Sequence, residues 1–283
     1  MHYIASDRFK GNANVYMDAL AGVLNPGTKL WNTGVGATMM REAVSLVGGY
    51  GITEDCPGFL CHKWMDAQLE ATYEGPEAVQ RRHMSLTMTN PVFLAVFRLW
   101  ADELRRIEAA TPGLGAAALA AAMDQWLWTL AFLQGGMDRD GKKLYHGKRQ
   151  GVSFPLADAL GWLISARFFI KDVLVLAAEG PMNPVVAEGL EGLTTFYNDM
   201  AFVHSARTAG EVVRICTELV YGYGCGEDQG VGGDVCIVFE GQDEFLKLRQ
   251  ATEQSLYGVR LAKDRAAGAL TQVMIPEALD YPM

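Results

Sequence analysis

At 283 residues, half of them hydrophobic and a fifth charged, the chain has the composition of a globular protein whose core is large enough to need neither disulfides nor metal to hold it. Its net charge of -9 argues against the basic surface of a nucleic-acid binder, and five cysteines in no paired spacing point to free thiols in a reducing compartment. The opening residues, 1–8, lack the basic-then-apolar order of a secretory signal, and the longest apolar stretch, 156–178, is broken by Asp158, Arg167, Lys171 and Asp172 and so is no membrane span; the expectation is a soluble, cytoplasmic protein.

Helical periodicity dominates the chain. A first helix is expected over residues 6–24, stopped by Asn25-Pro26-Gly27. A second is expected over 34–46, with Val35, Met39, Ala43 and Leu46 on one face, and it stops at a glycine pair. A glycine-rich turn, Gly48-Gly49-Tyr50-Gly51, leads into a loop that is tightest at Pro57-Gly58. A short helix over 64–72 follows, then one over 77–88 with Pro76 suited to its first turn. Beyond Asn90-Pro91, helices are expected over 92–109, 115–134, 154–178, 184–221 with a break, and 244–270. Residues 138–150 form a polar connection, and the only β-branched run, 235–239, is short. The fold class is therefore all-α: two helical bundles, residues 1–90 and 91–283.

A degenerate repeat links the two. Leu46-Val47-Gly48-Gly49-Tyr50-Gly51-Ile52-Thr53-Glu54-Asp55, followed by Tyr73-Glu74-Gly75, is matched by Leu219-Val220-Tyr221-Gly222-Tyr223-Gly224-Cys225-Gly226-Glu227-Asp228, followed by Phe239-Glu240-Gly241. The spacer before the glutamate is 7 residues shorter in the second copy, which misplaces Glu240, so the second copy is read as a structural one.

Glu74 is the leading candidate for chemistry. It stands just before Gly75-Pro76 at the entrance of a helix, where a neighbouring Tyr73 and apolar residues can desolvate a carboxylate and raise it toward the range of a general base. The local alternative is an acid favoured at that place by the helix macrodipole alone. The Gly48–Gly51 turn either lets backbone approach a phosphate or caps a helix, and it is no dinucleotide fingerprint, since no strand precedes it. Cys56, Cys61 and His62 lack a second ligand pair, so no metal site is expected. Trp126, Trp128, Trp162, Phe168 and Phe169 read as core or interface residues. Lys142, Lys143, Lys148 and Arg149, near His146, form a small basic cluster that reads as a solvated loop or as a contact for phosphates. Arg81 and Arg82 are placed to meet a phosphate, an acidic partner or a salt-bridge partner.

Residues 41–84 resemble the C-terminal helical domain of the acyl-CoA dehydrogenase family. The resemblance rests on Gly48-Gly49-Tyr50-Gly51, Thr53-Glu54-Asp55, Pro57, Asp66-Ala67, Tyr73-Glu74-Gly75 and Gln80-Arg81, in the family's order and near its spacing. It implies that Glu74 abstracts the α-proton of an acyl-CoA thioester while FAD accepts a hydride from the β-carbon. It implies that Ser45, Gly48, Gly49, Tyr50, Gly51 and Pro76 lie at the cofactor, and Tyr73, Gly75 and Arg81 at the substrate. Electron-transfer flavoprotein is the implied electron acceptor.

Three positions depart from the family's pattern: Ser45 replaces a usual Gln, Met65 a frequent Arg, and Pro76 a usual Thr that contacts FAD. Proline donates no hydrogen bond, so at least one expected flavin contact is absent or supplied otherwise. Nothing before residue 41 matches the family's N-terminal helical and β-barrel domains, and residues 91–283 have a counterpart only in its longer members and in acyl-CoA oxidases. The implied protein is the C-terminal subunit or half of a flavin-dependent acyl-CoA dehydrogenase, joined to a subunit that carries the front half. The alternative is a non-catalytic subunit that completes a partner's bundle. A nucleic-acid-binding relative fits poorly with the acidic charge.

Overall fold

The computed structural model describes residues 13–56, 58, 60–73, 75–138, 140–222, 240–254 and 256–273. These form α-helices joined by turns, with no strand among them: α1 (Ala13–Leu30), α2 (Gly36–Val47), α3 (Leu60–Glu70), α4 (Glu77–Thr87), α5 (Pro91–Ala110), α6 (Ala116–Gly135), α7 (Gln150–Glu179), α8 (Leu190–Tyr221), α9 (Gln242–Gln254) and α10 (Val259–Val273). The all-α expectation holds. The chain divides into two compact units, one of residues 1–96 and 143–161, the other of 97–142 and 162–283, with the division passing through α5 and α7.

The first unit holds α1 to α4 and the start of α5. Its first helix corrects a local expectation, because α1 runs through Pro26 rather than stopping before it. Proline has no N–H to give, which deprives the carbonyl four residues back of its helical partner. That carbonyl belongs to Gly22, and the Thr87 hydroxyl of α4 donates to it at 2.6 Å. The close approach this needs is set by small residues: a Cβ on Gly22 would meet Thr87 at 3.2 Å, and one on Gly27 would meet Met84 at 3.5 Å. Val23, Pro26, Gly27 and Leu30 are buried on this side of α1. A single π-turn, Trp31–Val35, then passes the chain into α2, a common adjustment inside a continuous helical run.

Two further segments complete the first unit. The loop after residue 143 is tied to α4, where the Tyr145 hydroxyl donates to the Ser85 carbonyl. Burial pushes the Tyr145 phenol above its usual range. The N-terminal half of α7 brings Asp158 to Arg81, and Gly161 faces the Trp31 ring, where a Cβ would stand 3.8 Å away.

The second unit is organised around α6, which packs against α8 and α9. Leu119, Met123, Trp126, Leu130 and Leu133 are fully or almost fully buried there. Among the described residues, α6 alone is long and apolar enough to cross a membrane, and more than half of it lies inside the unit. Trp126 meets Phe97 edge-on at 5.1 Å, and Trp128 stacks on Phe132 at 5.4 Å. Arg167, with only 7% of its side chain exposed, pairs with Glu103 at 2.7 Å and lies over the Trp100 ring at 4.2 Å. Lys171 reaches the other Glu103 oxygen at 2.7 Å. The expected helix over 244–270 is two helices, α9 and α10.

The two copies of the repeat can be compared only at their edges, since residues 223–239, with the β-branched run, lie outside the described residues. In the first copy the helix ends at Val47, with Gly48 at φ +71°. In the second it runs one residue further, because Tyr221 stands where Gly48 does and a tyrosine resists a positive φ. The glycine of each Glu-Gly pair, Gly75 (φ +96°) and Gly241 (φ +82°), precedes a helix in the left-handed region.

Candidate functional site

The residues singled out from the sequence fall into two groups at opposite ends of the α2–α3 hairpin. Ser45 and Gly48 to Gly51 lie at the C-terminal end of α2. Tyr73, Gly75, Pro76 and Arg81 lie beyond α3, beside the start of α2: a Cβ on Gly34 would meet Glu77 at 3.0 Å. The 12 residues of α2 put about 18 Å between the two groups along its axis. Glu74 lies outside the described residues.

At the first end, Gly48 to Ile52 form one tight turn of 3-10 helix. It is locked from below and open above. Gly51 is buried, and a Cβ there would stand 2.7 Å from the Val44 carbonyl oxygen. Gly48 and Gly49 are exposed, and a Cβ on either would meet nothing within 4 Å. The far side of the turn is fixed by Thr53, whose hydroxyl donates to the Tyr50 carbonyl at 2.7 Å. The Tyr50 hydroxyl in turn donates to the Asp55 carbonyl at 3.0 Å. The exposed Ser45 side chain belongs to the same end of the helix.

Large apolar side chains stand around this open backbone and along α3. Leu46 is 88% exposed, Ile52 59%, Met65 63% and Leu69 62%.

At the second end, the chain from Glu70 to Arg81 is held by clamps the sequence did not announce. The Lys29 ammonium donates to the Glu70 carbonyl at 2.6 Å and sits 4.7 Å from the centre of the Tyr73 ring. Gln80 reaches back to donate to the Gly75 carbonyl at 3.0 Å, across a glycine whose positive φ leaves no room for a side chain beside that amide. Pro76 is the N-terminal cap residue of α4, exposed and without a side-chain cap bond.

Arg81 is committed within the unit. Its Nε donates to both Asp158 oxygens, at 2.8 and 3.1 Å, and its Nη1 to Glu77 at 2.8 Å. Burial works against the Arg81 charge, but Asp158 and Glu77 outweigh it and hold the proton more firmly than usual. Burial likewise raises the Asp158 carboxyl, against the pull of Arg81. Glu77 was legible as an i,i+4 partner of Arg81. Asp158, 77 residues further on, was not.

This arrangement holds a rigid turn with accessible backbone at one end and a tightly pinned connection into α4 at the other. Among the described residues neither forms an enclosed pocket. A flat, extended cofactor fits the first end as a wall fits the side of a larger site: the open Gly48–Gly49 backbone and the exposed Ser45 hydroxyl can meet it, while Gly51 holds the turn in place. The fit is to one face of such a group.

Residues 13–88 match the family model described as Acyl-CoA dehydrogenase, C-terminal domain. The matched segment begins at the start of α1 and closes at the end of α4, a little over a quarter of the chain. No curated protein and no solved structure matches.

Proposed function

We propose, from the premise that residues 13–88 are an acyl-CoA dehydrogenase C-terminal domain, that this chain is the C-terminal subunit or half of a flavin-dependent acyl-CoA dehydrogenase. The observation that carries the proposal is the open Gly48–Gly49 backbone within that matched domain. The exposed Leu46 and Ile52 at that turn support a heteromeric assembly, since burying such side chains against a partner contributes about 1.5–3 kcal/mol each. The partner carries the N-terminal helical and β-barrel domains, and electron-transfer flavoprotein takes the electrons onward.

Bound FAD supplies the hydride acceptor and polarises the thioester carbonyl. The chain's own residues do the rest. Glu74 takes the α-proton of the acyl-CoA onto its carboxylate; of the residues that flank it in sequence, Lys29 holds Glu70 and Tyr73, and Gln80 holds Gly75. Fixing a base relative to the α-carbon lowers the entropic cost of such a transfer. Arg81 serves by anchoring α4 through Asp158 rather than by free approach to substrate. Ser45 and the Gly48–Gly51 turn meet the cofactor some 18 Å away, so they contact either the far end of a long cofactor or a second one.

The test is Glu74→Gln in the complete complex. Flavin content is expected to stay at the wild-type level while turnover and bleaching by acyl-CoA fall about 10²–10⁴-fold. Near-wild-type turnover removes Glu74 from the reaction. A second reading, a non-catalytic subunit that completes a partner's bundle, is favoured by Pro76, which offers no donor where the family's Thr stands. It predicts a colourless complex that acyl-CoA does not change.

A further inference from the structure

The chain is acidic overall, with 33 Asp and Glu against 24 Lys and Arg. Two segments of the first unit escape that balance entirely. Residues 78–96 and 143–157 contain no acid, where the chain's overall proportion would place about four. They carry Arg81, Arg82, Lys143, Lys148 and Arg149, together with His83 and His146.

The fold brings these segments side by side. The Tyr145 hydroxyl bonds the Ser85 carbonyl, and Gly147 lies against Leu86, where a Cβ would stand 3.7 Å from Leu86 Cδ2. At 3.6 residues per turn, Arg82 falls between Ser85 and Leu86 around α4, so it projects on the side where the loop docks. Thr87 and Gly22 hold the other flank of the helix. Arg82, Lys143 and Lys148 are exposed, as are His83 and His146, and none of the three cations has an ion-pair partner among the described residues. Arg81, by contrast, is neutralised by Asp158 and Glu77. The loop keeps its shape through hydrogen bonds from its backbone amides: Lys148 N–H donates to the His146 ring at Nδ1, 3.1 Å, and Arg149 N–H to the His146 carbonyl at 2.8 Å.

We propose that this face, built from Arg82, Lys143 and Lys148 around Leu86, binds an acidic surface of a partner protein. The proposal goes beyond the dehydrogenase reading and does not depend on it. Two features favour a protein over a phosphate group. The charges come from both a helix and a loop, a spread that suits the extended surface of a protein. Leu86, 58% exposed, stands among them as an apolar anchor of the kind protein interfaces surround with charge. In a chain of net charge -9, such a face also orients an acidic partner that the rest of the surface repels.

The test uses the full chain and a fluorescent twelve-residue polyglutamate peptide, followed by anisotropy at low salt. Binding is expected, and raising the salt severalfold should abolish it. The triple variant Arg82→Glu, Lys143→Glu, Lys148→Glu should weaken binding about tenfold or more. The neutral triple variant with Gln at the same positions should show an intermediate loss, which guards against a folding artefact in the reversed one. A control of the same net charge, Lys247→Glu, Arg260→Glu, Lys263→Glu on the second unit, should bind within about twofold of wild type. Equal losses in the control and the Arg82 variant would overturn the proposal. So would tighter binding of tripolyphosphate than of the peptide through the same three residues, which would assign the face to phosphate.

Discussion

The glycine turn at the end of α2 makes a sharp prediction, because its two inner glycines differ in what surrounds them. An alanine methyl at Gly51 would stand 2.7 Å from the Val44 carbonyl oxygen, 3.3 Å from Val44 Cα and 3.2 Å from Val47 Cβ. Two of these atoms are backbone of the last turn of α2, so no rotamer change relieves them; the helix end must move. Overpacking of this kind costs about 1–3 kcal/mol. At about 2–4 °C per kcal/mol, Gly51→Ala should lower Tm by roughly 2–12 °C. Gly49 is the internal control: a methyl there meets nothing, and Gly→Ala at a compatible position stabilises by about 0.4–1 kcal/mol through the unfolded chain. The assay is thermal unfolding of both variants followed by circular dichroism, with flavin content measured in the assembled complex. Under the proposed function the pattern reverses in the second measurement, since the Gly49 methyl occupies space a cofactor would need. A Gly51→Ala protein that melts with wild type would show that the turn does not close on Val44, and the whole account of the first end would fail with it.

Two further predictions concern the second unit. Removing Glu103 by Glu103→Ala strands the buried Arg167 guanidinium and should cost about 3–5 kcal/mol in urea unfolding; a loss under 1 kcal/mol would contradict that burial. Burial pushes the Glu103 carboxyl up, but Lys171 and Arg167 outweigh it and hold it below its usual range, so its stabilisation is present above the unfolded carboxylate range and disappears as pH falls through the depressed folded value. His204 behaves in the same direction for the opposite charge reason: burial, helped by Arg207, lowers its pKa to about 4, so the folded state resists a proton the unfolded chain accepts near 6.5. Stability should therefore decline between pH 6.5 and 4, by no more than about 3 kcal/mol, and that slope should flatten in His204→Gln. An unchanged slope would assign the acid sensitivity elsewhere.

Several helices were legible because they carry their own punctuation. Glycine after Val47, proline at 76 and 91, and glycine at 115 mark ends that the structure keeps within a residue or two. The exceptions are instructive. Asn25-Pro26-Gly27 is a stop signal by every local rule, yet α1 continues because Thr87, 65 residues away, accepts the bonding duty that proline abandons at Gly22. The 244–270 segment has helical periodicity throughout, yet it breaks after Gln254 and resumes at Val259, with Gly258 at φ +81°.

The candidate site divides in the same way. The sequence by itself determined the motif, its family resemblance, the helical class and the turn at 48–51, since these depend on residue type, spacing and backbone freedom along a few consecutive positions. Only the tertiary structure decided that Ser45 and the glycine turn stand at the opposite end of α2 from Tyr73, Gly75 and Arg81, that Lys29 holds the Glu70 carbonyl and the Tyr73 ring, that Arg81 is spent on Asp158, and that basic residues from two distant segments share one face. Each of those outcomes is a contact between groups tens of residues apart, and local pattern is blind to which distant partner will satisfy a buried donor or charge until the core has closed around them.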